Sequence, residues 1–474
     1  MSALQRWALV VLSGYLTGTA FIYTGGAALV ANVPLFFALR SRDREGRTIR
    51  GFEAALMGGL VGFMGGLHIY GILDYGWLLL WGFALYTGSQ MALFGWLLHR
   101  LWGRSRWGDI LLPGLAWAVS EWIRTVGVLS MPASYVGCIA DVSWLRPWLA
   151  LAAVTGGIGV STLIGVFQGV FYFGITSSTH RTPAGVILLV LMGVGAWGAI
   201  APPPLGEQPV KVAGVQGGLP NHVYAGAQID PLLMEAVIEA YGPLTQEAAT
   251  SADLVVWPET AVRTKVLGSP DLEARLLPPA DSDATLVAGL AVVTPDGLEH
   301  NRAVAVHGRQ VVSFSDKVRL VPGHEARFTP GERWQAIDTP VGPVGVMICL
   351  ESVFPDAGRA LAADGAELLL VISNDAGFRR SPIARHMTLR AVVRAVETGR
   401  WLLRVGQSGV TTLIDPRGHT HGELPLFSHG ILSGTAHRLH HTTLYVAWGD
   451  WWMYLVFSGL FWLSFRTVSR KRHD

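Results

Sequence analysis

Two hydrophobic periods divide this chain. Through the first 200 positions long apolar runs recur, at roughly 6–23, 25–40, 51–71, 77–99, 109–127, 148–174 and 183–201, and one more follows at 449–465. A helix crosses a bilayer with about 20 apolar residues, and 25–40 is the shortest of these runs. After Pro202-Pro203-Pro204, a stiff linker, the pattern changes to short strands alternating with amphipathic helices. It predicts strands at 210–216, 253–257, 285–293, 303–307, 311–315, 344–348, 367–373, 401–405 and 411–414, and helices at 232–250, 356–364 and 382–397. Alternation of this kind indicates an α/β layered domain. The expected organisation is therefore seven membrane helices in 1–204, an α/β domain in 205–447, and an eighth helix with a basic tail in 448–474.

Composition agrees with a membrane protein. Half of the 474 residues are hydrophobic, 15% are charged, and mean hydropathy is +0.38. The net charge of +2 suggests no nucleic-acid partner. Where the charges lie is more informative. Arg40, Arg42, Arg44, Arg47 and Arg50 follow the second run, Arg100, Arg104 and Arg106 the fourth, His180 and Arg181 the sixth, and Arg466, Arg470, Lys471 and Arg472 the last. No Lys or Arg separates the first run from the second or the third from the fourth. With basic loops on the cytoplasmic side, an eight-helix bundle has both termini in the cytoplasm and the α/β domain outside it. The first run lacks a strongly basic start and another apolar run follows at once, so it reads as a retained helix rather than a signal peptide.

Within the bundle, Gly58, Gly62 and Gly66, and Gly165 and Gly169, recur at a spacing of four, which lets helices pack closely. Trp117, Glu121 and Arg124 share the fifth run. The two charges can form an ion pair near the outer interface or meet a substrate headgroup. The aromatic, turn-rich stretch 128–148 suits an interfacial belt or flap. Cys138 there is a bystander, and two cysteines in different halves argue against a disulfide framework.

Polar residues gather where the predicted strands of the α/β domain end. Glu259 follows 253–257, Lys317 follows 311–315, Cys349 follows 344–348, and Asn374-Asp375 follows 367–373. Ligand chemistry in α/β sheets collects at strand ends. Cys349, in GPVGVMICLESVFP, reads in two ways: a small buried hydrophobe at a strand end, or an exposed thiol at a strand-to-helix turn near backbone N–H groups. Each residue alone is a weak signal. Together they form a nucleophilic site, in which the carboxylate takes the thiol proton and the ammonium and the Leu350 N–H hold an oxyanion. Glu351, two residues after the thiol, is either a supporting carboxylate or an ordinary helix N-terminal one.

On VVWPE with Glu259, DKVRLVP with Lys317 and GVMICLES with Cys349, the sequence resembles the nitrilase superfamily, whose Glu–Lys–Cys triad lies on an αββα sandwich. The whole chain resembles the bacterial apolipoprotein N-acyltransferases, in which several membrane helices precede such a domain and one follows it. VQGGLP at 215–220, Glu325 eight after Lys317, SNDAGF at 373–378, RAVETGRWLLR at 394–404, LIDPRG at 413–418 and WAVSEWIR at 117–124 carry the likeness further. The chain departs from that pattern around the pocket. Gly323-His324 stands where Phe-Gly is usual, Leu350 replaces a Tyr, Gly377 replaces a Trp, and Gly406-Gln407-Ser408-Gly409 replaces an Asn-rich stretch. A divergent branch of the family is associated with conjugal plasmid transfer, and these departures are compatible with it.

The resemblance implies two-step acyl transfer in the inner membrane of a bacterium, with the domain facing the periplasm. A phospholipid acyl ester acylates Cys349, and the thioester passes its acyl group to the N-terminal amine of a diacylglyceryl-cysteine lipoprotein. Glu325 would orient Lys317 or assist the base, and Asn374 would support the pocket. A monomer without cofactor or metal is expected. The alternatives are a nitrilase-type amidohydrolase and a non-acylating, conjugation-associated protein that keeps the fold. His419 and His421, and His437, His440 and His441, cluster in sequence, but no carboxylate or Cys pattern completes a metal-ligand set.

Overall fold

The computed structural model describes residues 1–42, 45–70, 76–127, 130, 139–201, 206, 208–227, 229–262 and 266–466. Cys138, the triple proline, residues 128–129 and 131–138 of the aromatic stretch, Arg44 and the basic tail beyond Arg466 lie outside the described residues. The chain forms two compact units, Met1–Ala201 with Trp448–Asp474, and Pro202–Ala447.

The first unit is helical. Four helices are long and apolar enough to cross a membrane: Gly51–Ile69, Trp77–Leu101, Ala152–Thr176 and Ser178–Ile200. The other expected spans are helical in whole or part without meeting both conditions. Ala3–Ile22 and Arg106–Trp122 are helices of 20 and 17 residues, and Trp451–Phe465 has 15. The expected second span is not one regular helix: a 3₁₀ turn, Gly25–Leu29, precedes an eight-residue helix, Val33–Arg40.

That break follows from how its backbone is satisfied. In hydrocarbon an unpaired carbonyl costs several kcal/mol, so irregular backbone survives only where protein groups pair with it. Gln168 donates from Nε2 to the Ala28 carbonyl at 2.6 Å, and Ser13 Oγ–H to the Ala31 carbonyl at 2.7 Å. Asn32, fully buried, donates to Gln168 Oε1 at 3.2 Å. Glu121 accepts the Trp117 indole N–H at 2.9 Å, from one turn back along the same helix.

Two helix pairs depend on absent side chains. A Cβ on Gly62 would lie 2.6 Å from the Thr87 carbonyl oxygen, and one on Gly165 would lie 2.6 Å from Gly114 Cα. Helix Gly51–Tyr70 packs on Trp77–Leu101 and Arg106–Trp122 on Ala152–Thr176 through these contacts.

The second unit contains two sheets. One has the order β11-β1-β2-β3-β4-β5, with β1 Gln208–Gln216, β2 Leu254–Val256, β3 Thr285–Val293, β4 Glu299–His307, β5 Gln310–Asp316 and β11 Gly430–Arg438. The other has the order β10-β9-β8-β7-β6, with β6 Val344–Ile348, β7 Leu368–Ser373, β8 Leu402–Gly406, β9 Thr411–Ile414 and β10 Thr420–Leu424. Side-chain alternation gives β2 and β6 to β9 two buried faces. Val212, Leu254, Val256, Val287, Val346, Ile348, Leu370 and Val405 fill the space between the sheets. Val215, Val255, Trp257 and Leu286 turn outward onto Val237 and Tyr241 of helix Pro231–Ala249. Helices Pro355–Ala363 and Pro382–Thr398 pack on the second sheet. The order of layers is helix, sheet, sheet, helix.

β10 and β11 were not expected from the sequence. GILSGTAHR shows little apolar alternation, yet it pairs antiparallel with β1 along its whole length, from Gln208↔Arg438 to Gln216↔Gly430. It closes an edge that β1 alone would leave open. β1, β2 and β3 run parallel, as do β6, β7 and β8. The carboxyl ends of β2, β6 and β7 therefore carry the turns that hold the site.

Replacing Gly165 by Ala is expected to lower the melting temperature of the detergent-solubilised chain by several degrees, because Gly114 cannot yield space. Gly174→Ala, on the same helix with nothing within 4 Å, should leave it unchanged or raise it slightly, since Ala favours helix by about 0.5–1 kcal/mol. Equal shifts in the two variants would contradict this packing.

Candidate active site

β2 is only three residues long and buried on both faces. It ends in Trp257-Pro258-Glu259 against β3, where a Cβ on Gly289 would meet Glu259 Cα at 2.7 Å. Only glycine lets the Glu259 backbone come this close. Lys317 leaves β5 at its carboxyl end, its N–H bonded to the Asn301 carbonyl at 2.8 Å. Cys349 directly follows β6, and Asn374 follows β7.

Lys317 is the centre of the polar cluster. Its side chain is 1% exposed, and Nζ donates to Glu259 Oε1 and to Glu325 Oε1, both at 2.8 Å. Asn301, on β4 and 1% exposed, donates from Nδ2 to the same two oxygens at 2.8 Å each. The far oxygens take backbone donors: Asn374 N–H reaches Glu259 Oε2 at 3.0 Å, and Val321 N–H reaches Glu325 Oε2 at 2.6 Å. Burial raises the cost of ionising Glu259, but the Lys317 ammonium, Asn301 and the Asn374 N–H outweigh it and hold its pKa below the usual carboxylate value. Burial opposes the charge on Lys317 too. Glu259, Cys349 and Glu325 overcome it and raise its pKa well above the ordinary lysine value, so the ammonium is permanent.

Cys349 opens the 3₁₀ turn Cys349–Val353 with φ of +55°, a left-handed conformation rare outside glycine. Such a residue stores about 1–3 kcal/mol that its surroundings must hold. Ser352 Oγ–H donates to the Cys349 carbonyl at 2.8 Å, and the Ile348 N–H to Glu351 Oε2 at 2.8 Å. The residue is partly exposed and also packs against the core between the sheets. Both readings of the cysteine thus describe part of its surroundings. Burial of the thiol and the Glu259 carboxylate raise its pKa well above that of a free thiol, against the pull of Lys317. At neutral pH it is a thiol, within the fields of Glu259, Lys317 and Asp375.

Glu351, 1% exposed, caps its own turn and does more. Its Oε1 accepts the Val318 N–H at 2.8 Å, the Arg319 N–H at 3.1 Å and the Trp334 indole N–H at 2.9 Å. It ties the backbone just after Lys317 to the turn that carries Cys349. Burial raises its pKa despite these donors. Leu350 is the second residue of the turn, and Asn374 reaches Glu259 through its backbone, while its side chain accepts the Ala376 N–H at 3.3 Å.

The strand-end reasoning missed Asn301, Trp334 and the pairing of Asp375. Asp375 is fully enclosed. Its Oδ1 accepts the Ser373 hydroxyl at 2.6 Å and its Oδ2 is bound by Arg404 of β8. Arg404, a charge inside the apolar run LLRVG, was the available signal. Asn301 gave a weaker one, as a polar residue at a position of β4 that faces inward. His419 and His421 both bond Asp415 Oδ2, at 3.2 and 2.9 Å. Among the described residues no group of three His, Cys, Asp or Glu is placed to hold a metal ion.

Comparison with known proteins places the chain in a family. Residues 13–170 match the apolipoprotein N-acyltransferase N-terminal domain, and residues 225–438 match the carbon-nitrogen hydrolase family. The apolipoprotein N-acyltransferase of Geobacter metallireducens is 30% identical over 492 residues, covering 94% of this chain and 92% of that one. The chain belongs to the apolipoprotein N-acyltransferase family. The Gloeobacter violaceus member is 28% identical over 93% of this chain and 90% of its own length, and the Pseudomonas paraeruginosa member 28% identical over 79% and 77%. One chain thus carries an apolipoprotein N-acyltransferase N-terminal domain, with helices apolar and long enough to cross a membrane, and a carbon-nitrogen hydrolase domain with a nitrilase-like α/β fold.

The raised thiol pKa has a direct consequence. In a Cys138→Ser background, iodoacetamide should alkylate Cys349 at pH 8 more slowly than a free thiol, accelerating only at more alkaline pH. Lys317→Met removes the cation that favours thiolate, so the rate should fall further. Faster alkylation in that variant would mean that Lys317 does not act on the thiol.

Proposed function

We propose that this chain is an apolipoprotein N-acyltransferase that works through Glu259, Lys317 and Cys349. The observation that carries the reading is the buried Lys317 ammonium, held at 2.8 Å by both Glu259 and Glu325, with the Cys349 thiol in the field of Lys317 and Glu259. The thiol is neutral at rest, so its proton must leave as the new bond forms. Glu259 takes the proton while Cys349 Sγ attacks the acyl carbonyl of a phospholipid. Charge develops on the carbonyl oxygen, where the Lys317 ammonium and the Leu350 N–H receive it. As the C–O bond breaks, Glu259 returns the proton to the departing lysophospholipid alkoxide, leaving a thioester on Cys349.

The second half repeats the steps with a new nucleophile. The N-terminal amine of a diacylglyceryl-cysteine lipoprotein attacks the thioester, Glu259 accepts an amine proton, and the C–S bond breaks. Glu259 then reprotonates the Cys349 thiolate. Glu325 and Asn301 keep Lys317 and Glu259 in register through both halves, and Glu351 holds the turn so that Leu350 N–H faces the developing oxyanion. The surroundings include the departures at Gly323, His324, Leu350 and Gly377, which bear on which acceptor is taken.

The arrangement in the cell is part of the proposal. Eight membrane crossings, with the short helices Gly25–Arg40 and Trp451–Phe465 counted among them, place both termini in the cytoplasm and 205–447 in the periplasm of a bacterial inner membrane. The protein acts as a monomer and without a cofactor. The basic loops support this orientation.

The test is chemical. Purified full-length protein incubated with phospholipid bearing a labelled acyl chain should form a Cys349 thioester, labile to hydroxylamine and discharged by a diacylglyceryl-cysteine peptide. Cys349→Ala should trap none, and Lys317→Met should slow its formation by about 100-fold or more. Discharge by water at the same rate with or without peptide would instead identify an amidohydrolase-type activity. No thioester, with function surviving Cys349→Ala, would identify a non-acylating protein that keeps the fold.

A further inference from the structure

At the basic end of the helical unit, a groove of about 720 Å³ lies between helix Trp77–Leu101 and helix Trp451–Phe465. Its lining holds two cations, Arg100 and Arg104, and no carboxylate. The rest is mainly apolar, and Trp96, Phe457 and Phe461 expose large hydrophobic surface there. Arg104 is anchored in its wall: Nη1 donates to the carbonyls of Leu463, Ser464 and Arg466 at 3.1, 2.5 and 3.0 Å. Those carbonyls lie at the carboxyl end of the last helix, which a cation stabilises. The guanidinium is thereby fixed, while its Nε–H is buried without a hydrogen-bond partner among the described residues. Buried donors of this kind are normally satisfied. A held cation, a second arginine beside it and an apolar floor match one chemistry: a phosphate joined to hydrocarbon chains.

We propose that this groove binds an anionic phospholipid, its phosphate on Arg100 and Arg104 and its acyl chains on Leu97, Leu101, Phe457 and Phe461. The site belongs to the helical unit alone and uses none of the residues assigned to acyl transfer. The lipid is a fixed component that joins the last helix to helix Trp77–Leu101, not an acyl donor. The proposal therefore stands or falls separately from the thioester chemistry.

The test uses the full chain in detergent and a lipid that cannot be consumed. Diether phosphatidylglycerol has no acyl ester, so its binding reports a site rather than a reaction. Native mass spectrometry should show one retained molecule of it, at least about tenfold tighter than diether phosphatidylcholine. Arg100→Gln should weaken that adduct about tenfold, the loss of one charge-assisted contact. Ser458→Trp, which fills the groove without removing a charge, should abolish it. Arg104→Gln would also uncap the last helix, so Arg100→Gln and Ser458→Trp decide the matter, with an unchanged melting temperature in lipid-free detergent as the folding control. Wild-type affinity in both variants overturns the site. Equal retention of the two lipids overturns the phosphate contact and with it the proposal.

Discussion

One buried ammonium sets the terms for the α/β domain. Lys317 loses its water to sit between two carboxylates, and removing such a charge from solvent costs several kcal/mol. The cluster carries one cation against two carboxylates, so the remaining oxygens need other donors. Asn301 and the N–H groups of Asn374 and Val321 provide them. These donors come from β4, from the turn after β7 and from the loop after β5. Closing the cluster therefore requires both sheets to be in place. Hydrophobic groups of the same volume would often stabilise a fold as well as a buried ion pair does, so the cluster is not explained by stability alone.

The rest of the site follows from that closure. Glu351 links the segment after Lys317 to the turn after β6, so the ammonium and the thiol are carried on one connected backbone. The positive φ at Cys349 is held by bonds on either side of it, to Ser352 and through Ile348. The resting thiol is protonated because burial and Glu259 together outweigh Lys317.

In the helical unit the constraint is the opposite one: no water is available to satisfy the backbone. Gln168 and Ser13 meet carbonyls freed where the second apolar run leaves regular helix, and Asn32 donates to the Gln168 side chain. Glycines at 62 and 165 allow backbones to approach closely enough that dispersion, which is short-ranged, can hold helices together.

How much of this was legible differs by level. The apolar runs, the basic loops and the change of period near 205 fixed two kinds of structure, because burial in lipid and burial in a layered sheet leave different spacings. The strands carrying Glu259, Lys317 and Cys349 were legible as short apolar runs ending in polar residues. β10 and β11 were not, since an edge strand such as GILSGTAHR is held by backbone pairing to β1 and needs no apolar alternation. Asn301, Trp334 and the Asp375–Arg404 pair were equally hidden, because their roles depend on partners many residues away. The sequence by itself determined which residues could do chemistry and at which strand ends they stand. Only the tertiary structure decided that Lys317 is shared between Glu259 and Glu325, and that Glu351 binds the thiol turn to the lysine loop. Hydrogen bonds are satisfied over about 3 Å in space, and no spacing along a chain records that distance.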